Sequence, residues 1–243
     1  MKAMIFAAGL GTRLQPVTND KPKALVEIQG RPLLEIIILR LMKYGFNKIV
    51  INVHHYAEKI KKFLTLNENF GAEIFISDES DKLLDTGGGL KNAKQYLEDE
   101  PFLVHNVDIL SDINLSEMFK FHNNGKALST VAVRKRPSSR YLLFDENNNL
   151  CGWKNIKTSE SIIVHKTEEE LTPFAFSGIH IIDPKIFGLM PDEDKFSVID
   201  VYLNAAKDHI IKSYQHDNSF WADVGRIEDL NSLNLKKSLD SLF

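Results

Sequence analysis

The chain has 243 residues, 43% of them hydrophobic, and a formal net charge of −3 at pH 7. This composition is typical of a globular protein with a sizeable core, and the slightly acidic balance argues against a nucleic-acid surface. The single cysteine, Cys151, excludes an internal disulfide framework and fits a reducing cytoplasm, and no apolar run is long enough for a signal peptide or a membrane span. We therefore expect one folded unit, residues 1–243, in the cytoplasm, with neither a membrane nor a nucleic-acid partner.

The chain opens with a short apolar strand, residues 4–7, that ends in a glycine-containing loop. Gly9 and Gly11 allow main-chain N–H groups to close on phosphate oxygens, because no side chain blocks the approach. Arg13 adds a bidentate fork and Lys23 a mobile point charge, a combination suited to a polyphosphate. The loop carries neither the third glycine of a dinucleotide fingerprint nor a Walker Gly-Lys-Ser/Thr. Taken alone, it could also be a plain tight turn.

The elements that follow alternate between helices and strands. Apolar spacing predicts helices over residues 33–44 and 56–66, and β-branched runs predict strands over residues 48–53 and 72–77. Such alternation means parallel strands joined by right-handed crossovers. We expect a doubly wound, mostly parallel, Rossmann-like α/β sheet that binds its ligands beyond the carboxyl ends of the strands.

Two later segments carry candidate site residues. Three successive glycines, Gly87–Gly89, end a polar crossing before a helix predicted over residues 90–97, and they indicate either close backbone approach or a plain flexible loop. The apolar strand over residues 102–108 delivers Asp108 at its end, where a hard oxygen ligand suits Mg²⁺ bound with substrate phosphates. The preceding His105 is interpreted as a histidine packed beside the sheet.

The second half changes pattern to short strands joined by Asn- and Glu-rich turns, which predicts a small antiparallel insertion. A basic cluster of Arg134, Lys135, Arg136 and Arg140 is interpreted as a solvated turn rather than as a rim that guides phosphates. We predict strands over residues 127–134, 141–144, 150–154, 161–164, 174–182 and 210–215, and helices over residues 115–124, 184–190, 198–208 and 227 to about 239.

The opening loop resembles a family signature. Residues 7–18 read A-A-G-x-G-T-R-L-x-P-x-T and residues 21–25 read K-P-K-A-L, a string similar to that of sugar-1-phosphate nucleotidyltransferases. These enzymes join a nucleoside triphosphate to a sugar 1-phosphate and release pyrophosphate. Residues 106–108 resemble the family's N-G-D segment, with Val107 in place of the glycine, and residues 221–225 (W-A-D-V-G) resemble its second acidic signature.

The resemblance implies a role for each matching residue and assigns residues 1–125 mainly to the nucleotide and residues 126–243 mainly to the sugar. It implies catalytic roles for Arg13, Lys23 and Asp108, and a Mg²⁺ site on Asp108 and Asp223. The implied nucleotide-binding residues are Ala7, Ala8, Gly9, Gly11, Thr12, Arg13, Asp85, Thr86, Gly87 and Gly88. The implied sugar-binding residues are Asn106, Lys154, Asn155 and Gly178. Phe176 stands where other relatives carry an asparagine that reads the sugar.

The implied reaction is Mg²⁺-dependent transfer of a nucleotidyl group from a nucleoside triphosphate to a sugar 1-phosphate. The L-D-T-G-G-G loop makes the chain most similar to the short N-acetylmuramate-1-phosphate uridylyltransferases. Mannose- or heptose-1-phosphate guanylyltransferases and cytidylyltransferases share most of the motifs and stay open as alternatives. A catalytically silent nucleotide-sugar sensor is a further alternative, disfavoured because Arg13, Lys23, Asp108 and Asp223 are all retained. The sequence gives no indication of the oligomeric state.

Overall fold

The strands of the computed structural model, which describes residues 1–166 and 170–230, form one ten-stranded sheet and two small two-stranded sheets. The strands are β1 (Lys2–Phe6), β2 (Glu27–Ile28), β3 (Arg31–Pro32), β4 (Lys48–Val53), β5 (Glu73–Asp78), β6 (Phe102–Asn106), β7 (Ile109–Ser111), β8 (Ser129–Arg134), β9 (Arg140–Phe144), β10 (Leu150–Asn155), β11 (Glu160–Ile163), β12 (Thr172–Ile182), β13 (Ile211–Gln215) and β14 (Trp221–Asp223).

The α-helices pack on both faces of the large sheet, and short 3-10 helices lie in the loops. The α-helices are α1 (Leu33–Lys43), α2 (Ala57–Leu66), α3 (Asp85–Asn92), α4 (Lys94–Leu97), α5 (Leu115–Gly125), α6 (Val198–Ala205) and α7 (Ile227–Leu230). The 3-10 helices are Thr12–Leu14, Lys23–Leu25, Glu68–Gly71 and Pro184–Leu189. Within the described residues, no helix has the length and apolar character needed to cross a membrane.

The large sheet is mixed, and its order is β11-β10-β9-β12-β6-β1-β4-β5, with β8 paired to β12 and β13 paired to β8. Strands β1, β4, β5 and β6 are parallel, as the helix–strand alternation predicts. Strands β9, β10 and β11 are antiparallel, as the short strands of the second half predict. The antiparallel strand β12 joins the two regions, because it pairs with β6 at one end and with β9 at the other.

Alternating side chains of β1 supply the two hydrophobic cores of the molecule. Ala3 and Ile5 point to the core beneath α1, α2 and α5, whereas Met4 points to the core beneath α3 and α6. Successive strand residues face opposite sides of a sheet, so an apolar run without polar alternation marks a strand that is covered on both faces. The central strand is therefore buried, and its carboxyl end is fixed where the opening loop begins.

Local sequence signals explain where several helices begin and end. The side chain of Asn114 caps α5 by accepting the N–H of Glu117 at 3.1 Å, and Ser197 caps α6 by accepting the N–H of Ile199 at 3.2 Å. Gly45 follows α1 in the left-handed region, with φ of 82°, as is common after a helix C-terminus.

The structure corrects two of the sequence-based expectations. Gly87–Gly89 do not form a loop but lie inside α3, and Arg136 is not in a solvated turn but stacks on Trp221, with its guanidinium 4.4 Å from the ring centroid. The small strands β2, β3, β7 and β14 were not predicted, because each is only two or three residues long. The predicted terminal helix begins at Ile227, and its continuation to about residue 239 lies outside the described residues.

Candidate active site

A cavity of about 400 Å³ lies at the carboxyl edge of the parallel strands β1, β4, β5 and β6. This is the edge at which open α/β sheets bind ligands, as the alternation of elements predicts. Its lining residues come from the segments that follow these strands and from α3 and the segment before α6. They are Phe6, Ala8, Gly9, Lys23, Asn52, Glu79, Leu83, Asp85, Thr86, Asn106, Val107, Asp108 and Lys195.

The opening loop is folded so that two basic residues lie in successive 3-10 turns. Gly11 has φ of 66°, and a Cβ there would come within 3.0 Å of Thr18 and 3.1 Å of the Lys23 side chain. Only glycine fits this conformation and this space without strain. The first turn, Thr12–Leu14, carries Arg13, and the second, Lys23–Leu25, begins with Lys23. The loop thus places Lys23 in the lining of the cavity, whereas Arg13 is exposed and is not a lining residue.

The two predicted acidic residues are brought together by the short antiparallel pair β7 and β14. In this pair Asp223 lies opposite Ile109, and the N–H of Val224 donates to the carbonyl oxygen of Asp108 at 2.9 Å. The ammonium of Lys23 forms an ion pair with the Asp108 carboxylate. Sequence motifs 115 residues apart therefore meet because of a pairing that neither motif indicates on its own.

Gly225 lies at the centre of these charged groups. A Cβ placed on it would be 2.8 Å from Asp223 Oδ1, 3.0 Å from Asp108 Oδ2 and 3.0 Å from Arg13 Nη2. The backbone N–H of Gly225 also donates to Asp223 Oδ1 at 2.9 Å. Two carboxylates and one guanidinium thus converge on a space that only a glycine leaves open.

The electrostatics of the acidic pair favour a bound cation. Burial raises the pKa of Asp223, and the nearby Asp108 carboxylate raises it further, while the Gly225 N–H, Lys23 and Arg13 oppose the shift. Mg²⁺ in proteins is commonly bound by one or two carboxylates. Water molecules and substrate phosphates supply its remaining ligands. Residues 1–166 and 170–230 contain no cluster of three or more potential metal-binding side chains.

A buried hydrogen-bonded chain links the opening loop to the far wall of the cavity. Asn52 accepts the N–H of Ala7 at 2.7 Å and donates to Glu79 Oε1 at 2.7 Å, and Glu79 Oε2 accepts the N–H of Leu84 at 3.4 Å. Burial raises the pKa of the Glu79 carboxyl. Our sequence analysis missed Asn52, Glu79 and Lys195. The signal for the first two was a polar residue within two positions of the end of a predicted strand, since Asn52 precedes residue 53 and Glu79 follows residues 77 and 78.

The predicted nucleoside-binding segment is only partly at the cavity. Asp85 and Thr86 line it, and the Thr86 hydroxyl accepts the N–H of Val198 at 3.0 Å. The N–H groups of Gly87 and Gly88, which the resemblance assigned to nucleotide binding, instead donate to the carbonyl oxygen of Phe196 at 2.9 and 3.3 Å. The close backbone approach that the glycines predict is therefore made by the protein's own chain.

Of the four predicted sugar-binding residues, only Asn106 lines the cavity. Gly178 has φ of 74°, and a Cβ there would lie 2.9 Å from Asn106 Nδ2, so this glycine lets β12 approach the asparagine. The Lys154 ammonium lies 5.9 Å from the ring centroid of Tyr141. The side chain of Asn155 is buried and accepts the N–H of Lys157 at 3.0 Å, which is a turn-forming contact.

Comparison with known proteins places these features in one family. Residues 2–238 match the nucleotidyl transferase family, and the chain belongs to it. The chain is 32% identical to the N-acetylmuramate alpha-1-phosphate uridylyltransferase of Caulobacter vibrioides, over 92% of this chain and 91% of that protein. It is 29% identical to the mannose-1-phosphate guanylyltransferase catalytic subunit beta of Drosophila melanogaster, over 98% of this chain but only 65% of that protein. The family resemblance inferred from the motifs is confirmed.

Solved structures agree on the fold. The structure of the inositol-1-phosphate CTP transferase from T. maritima matches with a TM-score of 0.79, covering 99% of this chain and 95% of that one at 20% identity. At that identity the match concerns the fold alone. The mixed sheet has parallel strands β6, β1, β4 and β5 in one part and antiparallel strands β12, β9, β10 and β11 in the other. It shares the fold of this structure, and the predicted Rossmann-like α/β class is confirmed.

Proposed function

We propose that this protein is a cytoplasmic, Mg²⁺-dependent nucleotidyltransferase that transfers a uridylyl group from UTP to N-acetylmuramate 1-phosphate and releases pyrophosphate. The observation that carries the proposal is the convergence of Arg13, Asp108 and Asp223 around Gly225, with Lys23 paired to Asp108 at the rim of the cavity. Two acids and two bases at the carboxyl edge of a parallel sheet are suited to binding phosphates and a divalent cation together.

The reaction needs positioning and charge neutralisation more than covalent participation of the protein. An oxygen of the sugar phosphate attacks the α-phosphorus in line with the departing pyrophosphate. Negative charge grows on the transferred and leaving phosphates, and Arg13 and Lys23 offset it. No general base is required, because a sugar phosphate is already ionised near neutral pH. Mg²⁺, which Asp108 and Asp223 would hold, supplies further charge neutralisation at the phosphates.

The choice of UTP is supported by a relative of similar length that carries the name of a uridylyltransferase. Glu79 is the observation that favours a second candidate, a guanylyltransferase, because an ionised carboxylate at the cavity wall could accept both edge N–H groups of guanine. Burial raises the pKa of Glu79, which makes its ionised form less favourable and so weakens the case for this second candidate.

Pyrophosphate release measured with UTP, GTP, CTP and dTTP, each against a panel of sugar 1-phosphates with Mg²⁺, tests the proposal. We expect the highest kcat/KM with UTP and N-acetylmuramate 1-phosphate. Preference for GTP with a mannose or heptose phosphate would establish the guanylyltransferase, and preference for CTP a cytidylyltransferase. Binding of UTP without pyrophosphate release from any pair would establish a nucleotide-sugar sensor.

Replacing Lys23 tests the assigned chemistry. We expect Lys23→Ala to lower kcat/KM by about 10²- to 10³-fold, because it removes a positive charge from the reacting phosphates. Lys48→Ala is the control, since Lys48 is exposed at the opposite, amino end of β4. Pyrophosphate release should be unchanged in that control. Full activity of the Lys23→Ala variant would refute the assignment.

A further inference from the structure

Arg136 is a desolvated cation that the proposed reaction leaves unused. Its guanidinium lies 4.4 Å from the ring centroid of Trp221, and Nη2 donates to the carbonyl oxygen of Phe176 at 3.0 Å. Nη1 makes a longer contact of 3.4 Å with the carbonyl oxygen of Pro137, and the buried Nε has no hydrogen-bond partner among the described residues. A guanidinium carries five N–H donors, so most of its hydrogen-bonding capacity is free.

The position of Arg136 relates it to the acidic pair. Trp221 and Asp223 are two residues apart on β14, so their side chains share a face of that strand. The Asp223 carboxylate accordingly acts on the Arg136 guanidinium through its charge. Arg136 donates to the carbonyl oxygen of Phe176, which lies two residues before Gly178. Gly178 in turn lies against the side chain of Asn106. Arg136 thus lies between the strand that carries Asp223 and the strand that carries Gly178.

Lys154 is a second cation in the same neighbourhood. Its ammonium lies 5.9 Å from the ring of Tyr141, and the Tyr141 hydroxyl donates to the carbonyl oxygen of Arg136 at 3.3 Å. Across residues 1–166 and 170–230, neither Arg136 nor Lys154 forms an ion pair with an acidic side chain. Arg136 lies beside the strand that carries Gly178, and Lys154 lies two strands away on β10. An acceptor that carries anionic groups offers charges of the matching sign.

We propose that Arg136 binds a carboxylate on the acceptor sugar, so that an acidic sugar 1-phosphate is preferred to its neutral counterpart. This inference rests on the proposed function and names the feature of the acceptor that the site selects. A planar guanidinium presents two parallel N–H donors that match a carboxylate, whereas a lysine ammonium acts as a point charge.

The inference is tested with two acceptors that differ only in the carboxylate-bearing ether group, N-acetylmuramate 1-phosphate and N-acetylglucosamine 1-phosphate. We expect Arg136→Gln to lower kcat/KM for the acidic acceptor by about 10- to 100-fold, as for the loss of a charge-assisted hydrogen-bonded pair. For the neutral acceptor, kcat/KM should change by less than about threefold. Arg136→Lys keeps the charge but loses the fork, and should show a smaller loss, again for the acidic acceptor only.

Arg134→Gln is the matched control. Arg134 lies over the same indole at 5.9 Å, but its Nη atoms face the carbonyl oxygens of Ser219 and Asp217. This variant should leave the ratio of the two acceptors unchanged. The inference would be overturned if Arg136→Gln lowered kcat/KM equally for both acceptors, or for neither. A structural or phosphate-binding role of Arg136 predicts no discrimination between the two.

Equilibrium binding separates this inference from the proposed function. Calorimetric titration of each sugar 1-phosphate into the wild-type protein and the Arg136→Gln variant, with Mg²⁺ and no nucleotide, needs no turnover. If no pair of substrates releases pyrophosphate but the variant selectively loses the acidic ligand, the proposed function fails and the inference stands. If pyrophosphate is released and the binding ratio is unaffected by the substitution, the inference alone fails.

Discussion

Gly225 determines whether the charged groups of the site can meet. Asp108 follows β6, Asp223 ends β14 and Arg13 comes from the opening loop, and all three place an atom within 3.0 Å of the position that a Cβ at residue 225 would take. The sequence motif W-A-D-V-G indicated the aspartate as the residue of interest. The structure adds that the residue two positions later must be glycine, because a larger side chain there would occupy the space in which the two carboxylates and the guanidinium meet.

We expect Gly225→Ala to lower kcat/KM by about 10²-fold, because a methyl group would displace the carboxylates and the guanidinium from a shared centre. The unfolding free energy should change by less than about 1 kcal/mol, since the displaced atoms are the ends of flexible side chains. Gly188→Ala is the control, because nothing lies within 4 Å of a Cβ built there. Pyrophosphate release and urea denaturation measure both effects, and an active Gly225→Ala enzyme would contradict the steric argument.

At the scale of elements, regular strands and helices were predictable and the small pairings were not. The period of the apolar residues in β4, α1 and α5 reflects burial on one or both faces, so their positions follow from local sequence. The pairing of β7 with β14 involves three residues on each side and is set by tertiary packing, which no local pattern encodes. The same limit explains α3, where three glycines predict a break in regular structure.

The glycines of α3 are tolerated in a helix because the chain around Phe196 packs against its backbone. A Cβ on Gly88 would lie 1.9 Å from the carbonyl oxygen of Asp194. We expect Gly88→Ala to destabilise the protein by about 1–3 kcal/mol, as overpacking does. Nucleotide binding should also weaken, because Lys195 in the displaced segment lines the cavity.

Gly125→Ala is the matched helical control for this variant. Gly125 is the last residue of α5, and nothing lies within 4 Å of a Cβ built there. The Gly125→Ala substitution should be neutral or should stabilise the protein by up to about 1 kcal/mol, because alanine is the better helix former. Thermal denaturation of the Gly88→Ala and Gly125→Ala variants measures both effects as changes in melting temperature. Equal melting temperatures would show that the contact between α3 and the chain around Asp194 is not tight.

For the whole molecule, the sequence predicted the class of the sheet, but not how segments far apart in the chain pack against one another. The parallel strands and the edge at which they bind ligands follow from the order of elements. The meeting of Arg136, Trp221 and Phe176 depends on three segments far apart in the chain. A local reading therefore assigned Arg136 to a solvated turn. Long-range packing of this kind is specified by the complete core rather than by any window of sequence.

Four buried histidines give the whole molecule an acid-sensitive stability. Burial lowers the pKa of His180 to about 3 and the pKa values of His105, His122 and His216 to about 4. The unfolded chain takes up these protons near pH 6.5, whereas the folded chain does not until pH 4 or below. The unfolded state thus binds more protons in this window, and the free energy of unfolding falls as the pH falls.

Each buried histidine contributes up to about 1.4 kcal/mol to this loss for every pH unit below its unfolded pKa. The raised pKa of Glu79 acts with the opposite sign, since that carboxyl binds its proton more readily in the folded chain, and it offsets part of the slope. We expect urea midpoints to fall between pH 7 and pH 5. His122→Asn, whose amide can still bond to Thr130, should reduce the slope, whereas replacement of the exposed His209 by asparagine should not. Equal slopes in the wild-type protein and the His122→Asn variant would show that His122 is protonated in the folded state, contrary to what its burial implies.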